Sequence, residues 1–275
     1  MASHPEGTLA TIDGQIVNIA AQAEVIDKAT ARANTGLGFT LFTLNLDHLV
    51  KRRADAAFRM AYGRATFVTA DGAPIAALAR LGGVRIERVT GADLVLPLCA
   101  AAAEQRLPVY LFGSSHETLK RAAADLVNRF PALDICGLEA PAQGFDPLSA
   151  SAQDAGERII RSGAKLCFVA LGAPKQELFA DRMVAASGGI GFVCIGAALD
   201  FLASAQVRAP SILRQLGLEW AWRLFSDPRR MAMRYARCVV LLAELVLLQP
   251  LKQRSSRIGP QHRPMDKLDP EKQDI

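Results

Sequence analysis

The chain has 275 residues, 51% of them hydrophobic, enough for one large α/β domain or a domain with an appendage, and its mixed composition excludes a low-complexity or disordered polymer. Five cysteines, Cys99, Cys136, Cys167, Cys194 and Cys238, form no CxxC pair and mostly sit in apolar runs. That pattern points to reduced core thiols in a cytosolic protein and argues against a disulfide frame or a zinc site. The net charge of +5 is uneven, since residues 206–275 carry 13 Lys/Arg against 7 Asp/Glu and residues 1–205 carry 19 against 20. An acidic partner is therefore expected at the C-terminal quarter: nucleotide phosphate, anionic lipid or nucleic acid.

The opening MASHPEGTLATIDG lacks the basic and then apolar regions of a signal peptide, which argues against export. Residues 1–36 read as a lead-in and a helix. Phe39–Leu44 is the first clear strand, and Asn45 and Asp47 follow it where either could cap a helix or face a ligand. Ala65–Thr69 is the next strand. The Asp71-Gly72 that follows stands at a strand's carboxyl end before a helix, so Asp71 is a helix cap or a ligand-facing carboxylate. Thr90 or Asp93 starts an alanine-rich helix reaching Gln105. Val109–Gly113 is a strand, with Ser114 or Ser115 capping the helix after it. Leu133–Leu138 is a strand and Ala150–Ser162 a helix.

The run Lys165–Glu177, KLCFVALGAPKQE, is the most informative stretch. Leu166–Leu171 suits a strand buried on both faces of a parallel sheet. Gly172 permits a positive φ or close approach of a ligand, and Pro174 suits the first turn of the next helix. Lys175, Gln176 and Glu177 then stand on a helix start that could hold a sugar or phosphate, or could simply be solvated. Gly191–Ala197 is the last strand. Strands alternating with helices at this spacing predict an α/β fold, a mostly parallel sheet with helices on both faces (Rossmann-like), over residues 1–205.

Residues 206–250 predict a basic helical appendage, with helices over Ile212–Phe225 and Arg229–Leu248, and residues 251–275 a charged, disordered tail. The stripe Val239–Leu248 is shorter than the about 20 apolar residues that cross a bilayer. It is left with three partners: a membrane surface, its own domain, or a second subunit in a homo-oligomer.

In order along the chain, Thr43-Leu-Asn45, Ala70-Asp71-Gly72, Arg88-Val-Thr90-Gly91-Ala-Asp93-Leu94, Leu111-Phe-Gly113, Leu171-Gly172-Ala-Pro174-Lys175-Gln176-Glu177, Gly196-Ala-Ala-Leu-Asp200-Phe201, Arg208-Ala209-Pro210, Glu219-Trp220-Ala-Trp-Arg223-Leu224 and Asp227-Pro228-Arg229-Arg230 together resemble the bacterial WecG/TagA/CpsF glycosyltransferases. The resemblance implies inverting transfer of a sugar from a UDP-sugar to a polyprenyl-diphosphate-linked saccharide, at the inner face of the cytoplasmic membrane, with no cofactor and no nucleic acid. It gives Asp71 the role of general base. Thr43 and Asn45 would contact sugar or acceptor, Gln176 and Glu177 the donor, with Lys175 and Asp200 beside them, and Gly172 would admit the nucleotide. Arg88 would touch phosphate. No D-x-D metal-binding pair occurs in the chain, so Arg208, Arg223, Arg230 and Arg234 are expected to compensate the leaving diphosphate, the appendage closing over the sheet edge. Leu199 and Ser204 depart from the family's pattern around Asp200. Two rival readings are a nucleotide-dependent dehydrogenase, for which G-x-G-x-x-G is missing, and a basic membrane-surface or nucleic-acid-binding scaffold, against which the 6% aromatic content weighs.

Overall fold

The computed structural model describes residues 9–203 and 228–256, the side chains of 228–230 and 248–256 excepted. A short antiparallel hairpin, β1 (Ala10–Ile12) and β2 (Gln15–Val17), precedes the main sheet. There follow α1 (Gln22–Asn34), β3 (Phe39–Leu44), α2 (Leu46–Ala54), α3 (Ala56–Arg64), β4 (Phe67–Ala70), α4 (Ala73–Leu81) and α5 (Gly91–Gln105). Then come β5 (Val109–Gly113), α6 (His116–Arg129), β6 (Ile135–Glu139), α7 (Ala150–Arg161), β7 (Leu166–Ala170), α8 (Lys175–Val184), β8 (Gly191–Cys194) and α9 (Ala198–Leu202), and α10 (Pro228–Ser256) resumes after the undescribed segment. The predicted helix Ile212–Phe225 lies outside the described residues, and α10 runs past Pro250, where the tail is expected to begin.

Six strands form one sheet in the order β4-β3-β8-β7-β5-β6, and every pairing is parallel. The apolar runs that predict β3, β5 and β7 have this cause: all their residues are buried, as strands covered on both faces must be. Phe42, Leu44, Phe112 and Val169 point to the face carrying α2, α3, α4, α7, α8 and α10. Leu41, Leu111 and Phe168 point to the opposite face, with α1, α5, α6 and α9. The last strand is shorter than the predicted Gly191–Ala197, because Ile195 already enters the turn before α9, with Ala198 N–H bonded to its carbonyl at 3.3 Å.

The helices after β5 and β7, α6 and α8, leave toward opposite faces, although the two strands are neighbours. Their carboxyl ends therefore open a crevice, the switch point at which open α/β sheets bind ligands.

The appendage helix α10 lies on α2. Met231, Cys238, Leu241 and Leu245, spaced along one stripe, are buried there, the methionine and leucines contributing up to ~1.5–3 kcal/mol each by leaving water. Its own domain thus takes one face of the apolar stretch, and the opposite face exposes Met233, Val239, Val240 and Leu247, at 65–71%. Among the described residues no helix is long and apolar enough to cross a membrane.

Candidate functional site

The β3–β4 register pairs Leu44 with Ala70 and so brings the next residues, Asn45 and Asp71, side by side at the carboxyl edge. Asn45 caps α2, its Oδ1 accepting from His48 N–H at 3.0 Å. Its amide nitrogen is then free to donate to Asp71 Oδ2, at 3.3 Å. Asn45 is thus the cap of α2 and also a neighbour of Asp71. The N-cap of α4 is Gly72 rather than Asp71. Asp71 is instead half-buried on the edge, its N–H bonded to Leu44 carbonyl at 2.7 Å. Arg88 comes alongside, since it bridges Ala70 in parallel and Val89 N–H bonds the Ala70 carbonyl at 2.8 Å. Thr90 caps α5 in a capping box with Asp93.

Thr43 is buried two positions before Asn45, paired with Thr69 across the strands, and its carbonyl accepts from Tyr62 Oη at 3.4 Å. Tyr62 also meets His48 Nδ1 at 2.7 Å. Burial, with Lys51 nearby, drives the His48 ring down to about 3, so it is neutral in the fold.

Two strands away, the β7–α8 turn puts Pro174 at the N-cap rather than inside the first turn, and Lys175 begins the helix, exposed. Gly172 takes φ +71°, and nothing lies within 4 Å of where a Cβ would be, so the backbone there is open to a ligand. Gln176 is buried, its Oε1 accepting from Gly196 N–H at 3.0 Å and its Nε2 donating to Glu177 Oε1 at 2.8 Å. This clasp ties α8 to the turn after β8. With neighbouring strands ~4.8 Å apart, β4 and β7, three places along the sheet, lie ~14 Å from each other.

Glu177 is fully buried and its Oε2 meets no hydrogen-bond donor. Burial pushes this carboxyl up to about 7 against the lowering effect of Gln176. The folded pKa lies above the ordinary 4.5, so ionising Glu177 opposes folding: the cost is nil below pH 4.5, grows as pH rises, and is complete above 7 at about 3 kcal/mol. Glu177→Gln should therefore match the parent near pH 4.5 and exceed its stability by about 3 kcal/mol at pH 8 in urea titrations. An advantage that does not change with pH would mean that another group titrates.

Ser115, not Ser114, caps α6. Ser114 takes φ +53° at the switch crevice and donates to Asp200 Oδ1 at 2.6 Å, a role that its place beside a capping serine concealed. Asp200 thus sits over the carboxyl end of β5. Arg234, expected at the diphosphate, pairs with Asp47 at 3.0 Å. Arg208 and Arg223 lie outside the described residues, as does the side chain of Arg230 on α10. Among the described residues no three His, Cys, Asp or Glu side chains are grouped so as to hold a metal ion.

The structure thus gathers Asn45, Asp71 and Arg88 at one end of the edge and Gly172, Gln176, Ser114 and Asp200 at the other. Residues 10–256, spanning both groups, match the model of the glycosyl transferase WecG/TagA/CpsF family. The chain belongs to that family. A WecG/TagA/CpsF glycosyl transferase transfers a glycosyl group, and that function replaces the dehydrogenase and scaffold readings of the sequence. Its sheet edge carries a carboxylate, Asp71, at one end and the open backbone turn at Gly172 at the other.

Proposed function

We propose that this glycosyl transferase moves a hexose or N-acetylhexosamine from a UDP-sugar to a polyprenyl-diphosphate-linked saccharide, with inversion and without a metal ion, in building a bacterial surface or exopolysaccharide. The observation that carries the reading is Asp71, a half-buried carboxylate at the carboxyl edge of the sheet, whose Oδ2 accepts from the Asn45 amide at 3.3 Å. In the proposed step the acceptor hydroxyl gives its proton to Asp71 as its oxygen bonds the anomeric carbon, and the bond from that carbon to the UDP oxygen breaks on the opposite face. The departing diphosphate needs cationic donors. The chain has no D-x-D pair, while its positive excess is concentrated after residue 205, so Arg208, Arg223 and Arg230 are assigned there, with Arg88 at the edge. Gln176, Glu177 and Lys175 shape the donor end beside Gly172, and Thr43 supports the acceptor end from beneath.

The membrane part of the proposal rests on α10, whose outward face is apolar next to Arg237, a pairing suited to an anionic lipid surface. It would put the enzyme at the inner face of the cytoplasmic membrane, where a lipid-linked acceptor is met.

Incubation with a panel of UDP-sugars should give slow UDP release with one of them, accelerated by a lipid-linked acceptor and unchanged by EDTA. Activity lost in EDTA and restored by Mg²⁺ would contradict the assignment to arginines. Release from no UDP-sugar, with release from another nucleotide sugar, would overturn the donor class.

A further inference from the structure

A line of charged groups runs from the appendage to the open turn. Arg234 on α10 pairs with Asp47 at 3.0 Å, Asp47 pairs with Lys51 one helical turn on at 2.7 Å, and Lys51 Nζ donates to the carbonyl of Ala173 at 2.9 Å. Asp47 is the most enclosed of the three, its side chain 11% exposed, so its two cations are held where water competes weakly. The carbonyl at the end of the line belongs to the residue between Gly172 and Pro174, immediately ahead of α8. The start of α2 has its own cap in Asn45, and the links to Arg234 and Ala173 reach outside that helix.

We propose that Lys51 is a positioning residue that fixes the Gly172–Pro174 turn, and that Asp47 and Arg234 make its grip depend on the docking of α10. The proposal rests on the reading that this turn faces the donor. It gives Arg234 a task other than touching the diphosphate: the helix reports its docked position to the turn 60 residues earlier in the chain through two ion pairs and one hydrogen bond. When α10 lifts, Asp47 loses one cation, Lys51 is drawn wholly to Asp47, and the Ala173 carbonyl is released.

Amide exchange measured by mass spectrometry on the full chain, with no substrate present, tests this. Arg234→Gln and Lys51→Met should each speed exchange across residues 171–178 by about tenfold, the worth of one hydrogen bond to a charged group. Exchange across 109–113 should stay as in the parent, the double variant should be no faster than Lys51→Met alone, and Lys51→Arg, which keeps an N–H donor, should stay protected. In transfer assays Arg234→Gln and Lys51→Met should raise the donor KM by a similar factor and leave the acceptor KM unchanged. Exchange that rises uniformly through the chain, additive effects in the double variant, or an Arg234→Gln turn as protected as the parent's would each overturn the proposal. Because the exchange readout uses no sugar nucleotide, it can fail while the donor assignment stands, and the reverse.

Discussion

Asp71→Asn should lower turnover by about 10²- to 10⁴-fold, the range that a positioned general base supplies, while the dissociation constant for the donor stays within about twofold of the parent's. The substitution keeps the side chain's shape and an acceptor oxygen for the Asn45 amide, which now meets Asp71 at 3.3 Å, so the edge should keep its geometry. What it removes is the ability to take up the acceptor's proton. The step is therefore slowed without loss of binding, and the defect should appear in kcat with KM little changed. Calorimetric titration of donor together with steady-state transfer separates the two. A variant that turns over as fast as the parent would remove Asp71 from the chemistry, and one that no longer binds donor would make it a binding residue instead.

The second large effect is on stability. Gly113→Ala should cost about 4 kcal/mol, because two independent penalties meet at one position. The residue has φ +116°, and an added Cβ would lie 2.4 Å from the carbonyl oxygen of Ala170 and 2.5 Å from its carbonyl carbon. The first asks a side chain to adopt a backbone that L-residues avoid, and the second sets it against a neighbouring strand that cannot move without breaking its ladder. Gly63 is the control: it lies exposed inside α3 with nothing within 4 Å of its missing Cβ. Gly63→Ala should stabilise by up to about 1 kcal/mol. Urea denaturation of the pair checks both signs, and a Gly113→Ala protein as stable as its parent would show that the crevice between β5 and β7 is not closely packed.

Much of the sheet could be read from the chain because its cause is local. A run such as Leu166–Ala170 is apolar at every position since both faces are covered, and its neighbours announce themselves in the same way. Thr90 and Asp93 are three residues apart, so the helix start was visible as well, though as a choice between them where the fold uses both. The β1–β2 hairpin passes for an unstructured lead-in, though Asp13-Gly14 between ATI and QIV carried the signal of a two-residue turn; both residues have positive φ, 49° and 73°. Distance in sequence hid the rest. Nothing near Arg234 indicates that its partner is Asp47, and nothing near Asp71 indicates that Asn45 will stand next to it, because both pairings are set by which elements pack together. Asp71 reads as helix cap or site carboxylate for the same reason, and in the fold the N-cap position of α4 falls on Gly72.

The order of the strands has a consequence for how the protein is made. Among the described residues β3 pairs with β4 and β8, and β7 with β5 and β8, so the four residues Gly191–Cys194 join the two halves of the sheet. A chain ending before Gly191 could pair β3 with β4 and β7 with β5 and β6, leaving β3 and β7 each with an unpaired inner edge open to a foreign strand. Asp71 follows β4 and Gly172 follows β7, so the two ends of the proposed pocket come into register when the four residues of β8 pair between the two ribbons.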